Sequence, residues 1–176
     1  MKNIIFLQSW YSEITDNWYS WLKVELDKKG YQTHFIDLPE MRKDVPDMSK
    51  MIAQIEAFGF IDKDTTLIGH SLGCLLAMRL AEKYVIDKMI LVSGWDFDDL
   101  TEGHKTFWLN KIDHTKIKSH VKKTYVIHSD NDPYITKITA EDMSKRFGAD
   151  FILVPNGGHL NAKSGITKLP QLLNVL

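Results

Sequence analysis

The sequence predicts an α/β fold: a three-layer α/β/α sandwich around a mostly parallel, doubly wound sheet of about six strands. Short apolar runs alternate with longer segments of helical periodicity along nearly the whole chain of 176 residues. Parallel neighbours need long crossovers, and intervening helices supply these while covering both faces of the sheet. Because we find no internal repeat, linker or low-complexity block, we expect a single domain over residues 1–176.

Two strands, each followed by a helix, are predicted in the first part of the chain. The almost wholly apolar run 3–7 is typical of a strand covered on both faces. Apolar residues at helical intervals over 16–29 predict the first helix, with Asp16 as its cap and Gly30 as its left-handed stop. The other elements of this part are a strand at 31–37 and a helix at 49–58 that ends at Gly59.

The alternation continues beyond residue 64. Four further strands are predicted, at 65–69, 88–93, 124–128 and 151–154. Helices are predicted at 72–84 and 137–147, and a terminal helix from about Ser164. Residues 94–121 mix aromatic and acidic side chains without a clean period, so we expect them to cross the carboxyl ends of the strands as a candidate small lid, where ligands of open α/β sheets bind.

Charge and composition exclude several classes of partner. The chain has 22 basic and 23 acidic residues and a formal net charge of -1, with no basic stripe, so we expect no nucleic-acid or membrane partner. The single cysteine, Cys74, cannot form an internal disulfide. No apolar run is long enough for a signal-peptide core or a membrane span. We therefore expect a soluble cytoplasmic protein.

A nucleophile elbow of the form G-x-S-x-G lies between the third predicted strand and its helix, at Gly69-His70-Ser71-Leu72-Gly73. Glycines at its two ends let neighbouring backbone approach where side chains would clash, while a strained turn projects the Ser71 hydroxyl above the sheet. The Leu72 N–H, at the start of the helix, is a candidate oxyanion donor. The pattern arises by chance in roughly 3% of shuffled sequences, so its position between strand and helix is what favours the assignment.

A serine nucleophile needs a base to accept its proton and a third group to orient that base. Two later loops offer both, with Asp130 and Asp132 after the fifth strand and His159 after the sixth. The chain order Ser, Asp, His is that of an α/β-hydrolase. Asp132 is the favoured acid because Pro133 fixes its backbone, and Asp130, suited to a cap or turn, is the alternative. The other six histidines are expected to be packed polar or surface residues.

The motifs together resemble the compact serine hydrolases related to retinoblastoma-binding protein 9 and the bacterial YdeN-like proteins. The segments that carry the likeness are Trp18-Tyr-Ser-Trp21, Ile68-Gly-His-Ser-Leu-Gly73, Ala77-Met-Arg-Leu-Ala81, Leu91-Val-Ser93, Ser129-Asp-Asn-Asp-Pro133 and Gly158-His159. They span nearly the whole chain. The resemblance implies a minimal α/β-hydrolase fold without a large cap domain, for which we expect the strand order 2-1-3-4-5-6. It also implies Ser71 as nucleophile, Asp132 as orienting acid and His159 as base.

The loop after the first strand departs from the common pattern. Many α/β-hydrolases have a His-Gly or glycine-rich loop there, which supplies the second oxyanion donor, whereas this chain has Gln8-Ser9-Trp10-Tyr11. The Ser9 N–H is the first choice for that donor and Gln8 the second. One such donor typically contributes about 2.7 to 4 kcal/mol of transition-state stabilisation, so a misplaced amide would slow the reaction roughly a hundredfold.

The leading hypothesis is a serine hydrolase, with carboxylesterase-like activity, that cleaves a carboxylic ester, thioester or small amide through an acyl-enzyme intermediate. The reaction needs no cofactor, and its substrate would be a small-molecule or peptide acyl compound. Candidate substrate-binding residues are Trp10, Trp95 and Trp108. Aromatic residues near a sheet edge more often simply pack, as Tyr11, Phe97 and Phe107 could also do.

Two other functions compete with hydrolysis by a serine. A binding or scaffold protein on a hydrolase fold is suggested by the unusual loop at 8–11 and by the aromatic, acidic stretch 95–100. A metal-dependent hydrolase is suggested only by the seven histidines and several aspartates. The sequence has no H-E-x-x-H helix, and the Asp-Asn-Asp-Pro turn lacks the other ligands of a calcium loop, so we predict no metal site. The sequence defines no protein partner.

Overall fold

The computed structural model describes residues 3–176 and contains one six-stranded sheet with helices on both faces. The strands are β1 (Asn3–Leu7), β2 (Gln32–Phe35), β3 (Thr66–His70), β4 (Ile86–Val92), β5 (Val121–Ser129) and β6 (Asp150–Val154). Their order in the sheet is β2-β1-β3-β4-β5-β6, and each neighbouring pair is parallel. The predicted fold class and strand order are therefore confirmed.

Five α-helices lie within the described residues: α1 (Tyr19–Lys28), α2 (Met48–Glu56), α3 (Leu72–Ala81), α4 (His114–His120) and α5 (Lys137–Phe147). The prediction that Asp16 caps the first helix is wrong, because α1 begins later and the Asp16 carboxylate accepts a hydrogen bond from the Glu13 amide. Gly30 follows α1 with a φ of 78°, as a left-handed stop requires. Among these helices none is both long and apolar enough to cross a membrane.

Each face of the sheet has its own apolar core. Side chains alternate along the strands, so Ile4 and Phe6 of β1 face α1, while Ile5 and Leu7 face α3. All ten residues of α3 are buried, and the other helices on its face are α2, α4 and α5. Coverage on both faces explains why the strands are continuous apolar runs in the sequence.

The terminal helix expected from about Ser164 is wrong. Residues 162–164 and 170–174 form short 3-10 turns instead. Gly165, with a φ of 81°, ends the first turn, and Pro170 begins the second, since proline cannot continue a preceding helix. Leu169 and Leu172 nevertheless fill the core on the α1 face, where a helix would have packed.

The 94–121 segment contains a 3-10 turn at 102–107 and helix α4. Arg79 of α3, which is 7% exposed, donates hydrogen bonds to the carbonyl oxygens of Phe107 and Asn110. The Asp96 carboxylate is almost completely buried and binds the Arg146 guanidinium through both oxygens, at 2.7 and 2.5 Å. Buried charged side chains therefore fasten this segment to α3 and α5.

Candidate active site

β3 and α3 are joined at Ser71 by the tight turn that the two glycines predicted. Ser71 has φ 53° and ψ -120°, a strained backbone for a residue with a side chain. A Cβ on Gly69 would lie 2.6 Å from the carbonyl oxygen of Gly73, and a Cβ on Gly73 would overlap the carbonyl oxygen of Leu7. Only glycine fits at these two positions, and the turn places Ser71 at the carboxyl edge of the sheet.

Ser71, His159 and Asp132 form one hydrogen-bonded chain. Nε2 of His159 lies 2.9 Å from Oγ of Ser71, and Nδ1 lies 2.8 Å from Oδ2 of Asp132. A carboxylate only accepts, so in the neutral ring Nδ1 carries the proton and Nε2 can accept the serine proton. The three residues follow β3, β6 and β5, whose carboxyl ends lie at one edge of the sheet because the strands are parallel.

The Asp132 carboxylate is held by the backbone of its own loop. Oδ1 accepts hydrogen bonds from the amides of Tyr134 at 2.9 Å and Ile135 at 3.2 Å. Burial raises the pKa of Asp132, but the hydrogen bond from His159 and these amides outweigh it and hold the pKa below its ordinary value. Asp132 is thus ionised at neutral pH. Asp130, the alternative acid, accepts from the Asn156 amide at 2.7 Å instead.

His70, to which the sequence assigned no role, holds the backbone that carries His159. Its Nε2 donates to the carbonyl oxygen of His159 at 3.1 Å, and its Nδ1 lies 2.5 Å from the hydroxyl of Tyr19. Burial, with a smaller contribution from His159, lowers the pKa of His70 to about 3. The ring is therefore neutral, and its Nδ1 accepts a hydrogen bond from the Tyr19 hydroxyl. Tyr19 and His70 are 51 positions apart in the sequence, so no local pattern could predict this contact.

The backbone amides predicted to form the oxyanion hole differ in their partners. The Leu72 N–H, at the start of α3, has no hydrogen-bond partner within residues 3–176. The Ser9 N–H, by contrast, donates to the Tyr19 hydroxyl at 3.3 Å. The next amide, that of Trp10, makes no hydrogen bond to the described part of the chain. Leu72 and Trp10 thus offer unpaired donors, whereas Ser9 does not.

Gln8, the second choice for the oxyanion donor, anchors the loop after β1 through its side chain. Its carbonyl oxygen accepts from the Leu38 amide, and its amide nitrogen donates to the Ser12 carbonyl oxygen. Gln8 is 1% exposed. These two hydrogen bonds hold the glycine-free loop after β1 in place. The buried Gln8 side chain makes them, so the loop does not depend on the close backbone contacts that a glycine would permit.

A cavity of about 1000 Å³ opens beside Ser71 and His159. Of the three tryptophans predicted to bind substrate, Trp10 and Trp95 line it. Trp108 packs against the core on the α3 face and is not among the residues that line the cavity, so its part in substrate binding stays a prediction. His104 and Asp99 also line the cavity, although no sequence pattern indicated them.

Within residues 3–176, no group of three or more histidine, cysteine, aspartate or glutamate side chains is placed so that it could hold a metal ion. Cys74 is fully buried beneath the elbow, and its single S–H proton lies between two carbonyl oxygens, with Sγ 3.2 Å from that of Gly69 and 3.3 Å from that of Val92. Burial strongly raises the pKa of this thiol. Cys74 is therefore a packing residue.

Solved structures share the architecture of this chain. The crystal structure of the ydeN gene product of Bacillus subtilis matches it with a TM-score of 0.90 and 25% identity, over 99% of this chain and 96% of that one. A structure from work on carboxylesterases of Nitrososphaera gargenis matches with a TM-score of 0.73 and 11% identity, over 99% and 88% of the two chains. The second likeness shows the fold alone.

The sequence is also similar to known proteins along most of its length. It is 27% identical to YdeN of Bacillus subtilis over 188 aligned positions, covering 99% of this chain and 94% of YdeN. It is 27% identical to the serine hydrolase RBBP9 of Rattus norvegicus over 170 positions, covering 92% and 86%. The model of the serine hydrolase family matches residues 4–176. The resemblance noted from the motifs is thus confirmed, and this chain belongs to the serine hydrolase family.

Proposed function

We propose that this chain hydrolyses a carboxylic ester, thioester or small amide by transferring the acyl group to Ser71. The proposal depends on one observation above all, the 2.9 Å contact between His159 Nε2 and Ser71 Oγ. A serine hydroxyl is a weak nucleophile until a base accepts its proton, and this contact supplies the base. Membership of the serine hydrolase family supports the reaction class.

In the first half of the reaction Oγ of Ser71 forms a bond to the substrate carbonyl carbon while its proton passes to Nε2 of His159. The ionised Asp132 carboxylate stabilises the imidazolium. His159 then gives the proton to the leaving alcohol, thiol or amine as the bond to the acyl carbon breaks. A water molecule, deprotonated by the same nitrogen, releases the acid and restores the Ser71 hydroxyl.

The oxyanion of each tetrahedral intermediate would accept hydrogen bonds from the amides of Leu72 and Trp10. Both amides are unpaired within the described residues, and both residues adjoin the reacting group, one after Ser71 and one at the cavity wall. Trp10 replaces Ser9 in this role because the Ser9 amide already donates to Tyr19. Each preorganised donor contributes about 2.7 to 4 kcal/mol at the transition state.

Labelling with a fluorophosphonate probe tests the proposal. We expect the native chain to be modified at Ser71, located by peptide mapping, and to hydrolyse short carboxylic esters without an added cofactor. Ser71→Ala and His159→Ala should not be labelled, because the first lacks the nucleophile and the second lacks its base. Ser20→Ala, which alters an exposed serine that does not line the cavity, is the matched control and should be labelled like the native chain. A folded native chain that never reacts would favour the binding-protein alternative.

A further inference from the structure

A second histidine and aspartate pair faces the same cavity as Ser71, on the 94–121 segment. Nδ1 of His104 lies 2.8 Å from Oδ2 of Asp99, and both residues line the cavity. The acyl-transfer reaction proposed above does not use this pair. Because it lines the cavity together with Ser71 and His159, the pair is available to the part of the substrate that does not react.

Asp99 determines which nitrogen of His104 carries the proton. The carboxylate accepts from Nδ1, and it is fixed by a further hydrogen bond from the Thr101 hydroxyl at 3.0 Å. In the neutral ring Nε2 is then a hydrogen-bond acceptor. Nε2 has no hydrogen-bond partner in the described part of the chain. It is not among the unpartnered side-chain atoms that are completely buried there, so a ligand can reach it. An acceptor oriented in this way can take a hydrogen bond from a ligand in the cavity.

Aromatic rings surround this acceptor. The His104 ring lies 4.8 Å from a ring of Trp10 and 5.1 Å from a ring of Trp95, measured between centroids. Phe97 and Tyr134 also line the cavity. Such walls favour an aromatic ligand, because ring pairs gain energy from edge and stacked contacts beyond the burial of apolar surface.

We propose that the cavity selects substrates whose acyl group carries a phenolic hydroxyl, which donates a hydrogen bond to Nε2 of His104. The inference rests on the proposed function for the reaction at Ser71, and it adds the class of substrate. A phenol combines an uncharged donor with a ring that fits between the tryptophans. A carboxylate could bind this nitrogen only if Nε2 carried a proton, and it would then lie close to the Asp99 carboxylate that holds Nδ1.

Equilibrium binding to Ser71→Ala tests the inference without any need for turnover. The ligands are p-hydroxybenzylacetone and benzylacetone, methyl ketones in which carbon replaces the ester oxygen and which differ only in the phenolic hydroxyl. Calorimetry should show the hydroxylated ketone binding about tenfold more tightly, as expected for one hydrogen bond to an oriented acceptor. Adding His104→Phe should reduce this preference to about one while the affinity for benzylacetone stays within a factor of two.

Retained binding of benzylacetone would show that the His104→Phe variant is folded. Asp99→Asn is a milder change, which should reduce the preference for the hydroxylated ketone by a factor of about three. Equal binding of the two ketones to Ser71→Ala would overturn the inference, and so would tighter binding of p-carboxybenzylacetone. With the native chain, methyl phloretate should be hydrolysed with a kcat/KM about tenfold above that of methyl hydrocinnamate. If neither ester reacts and no probe labels Ser71, the proposed function fails, and the ketone affinities still decide the question of recognition.

Discussion

The loops that carry Ser71, Asp132 and His159 border the same cavity as the 94–121 segment, but the two regions are held in different ways. The loops follow strand ends directly and are fastened through backbone groups, such as the Ser71 amide, which donates to the Val92 carbonyl oxygen at 2.9 Å. The segment depends on long charged side chains, above all Arg79. Ser71, Asp132 and His159 are thus held close to the strands of the sheet, and we expect changes in the 94–121 segment to disturb them little.

The largest effect is expected in the loops, on activity alone. Asp132→Asn should reduce turnover by about 10⁴-fold, because the imidazole loses the partner that fixes its proton on Nδ1. Asp130→Asn, a matched change in the same loop, should cost less than about tenfold, since this side chain bonds the Asn156 amide and not the imidazole. Ester hydrolysis measures both. If Asp130→Asn were the more damaging change, Asp130 and not Asp132 would be the orienting acid.

The next effect concerns the stability of the elbow. Gly73→Ala should lower the free energy of unfolding by about 3 kcal/mol or more, because the added Cβ overlaps backbone that the sheet holds in place. Gly30→Ala is the control, since its Cβ would meet no atom and only its positive φ would cost about 1 to 2 kcal/mol. Urea unfolding compares them. If Gly73→Ala is as stable as Gly30→Ala, the backbone around the elbow can move to accommodate a side chain and is not held rigidly by the sheet.

A smaller effect is expected in the 94–121 segment. Arg79→Met should lower the free energy of unfolding by about 2 to 3 kcal/mol, because carbonyl groups near Phe107 lose their donor. It should raise KM more than it lowers kcat, since the cavity wall shifts and the Ser71 loop does not. Arg42→Met breaks an exposed pair with Asp37 and should cost less than about 1 kcal/mol. A loss in kcat alone would contradict the distinction between the regions.

The smallest effect depends on pH. The pKa of His70 is about 3 in the folded chain, against an ordinary value near 6.5, so the unfolded chain binds the proton first as the pH falls. The stability that His70 contributes is complete above about pH 6.5 and is lost progressively below it. Between pH 7 and pH 5 the native chain should lose about 2 kcal/mol more than His70→Gln, by urea unfolding. Equal losses would show that His70 titrates normally.

Sequence reasoning reached the reacting groups because each one follows an apolar run that marks a strand. Ser71, Asp132 and His159 could be placed at one edge from strand positions and chain order alone. The contact between Tyr19 and His70, and the pair formed by His104 and Asp99, depend on how distant segments pack, which local periodicity does not describe. For the same reason the sequence could not predict whether Trp108 lines the cavity, since its segment has no strand end to fix its direction.

The errors in the fold also have physical causes. Helix α4 was not predicted because it has only seven residues, too few to establish a period, although Asp113 caps it by accepting from the Lys116 amide. The C-terminal segment has apolar residues at suitable intervals, but Gly165 and Pro170 interrupt it before a helical turn can propagate. The strand order was predicted from the resemblance to the compact serine hydrolases, because periodicity locates strands along the chain without ordering them in a sheet.

The sealed position of Cys74 has a practical consequence for probe design. Many electrophiles, among them β-lactones, carbamates and chloromethyl ketones, react with either serine or cysteine nucleophiles, so a labelled protein normally leaves the modified atom ambiguous. Here the chain's one sulfhydryl is inaccessible and protonated, and it lies under the very residue of interest. Any such warhead that attaches to the native fold would therefore report on a residue other than cysteine, and inhibitor libraries built for either enzyme class could be screened without first removing the thiol.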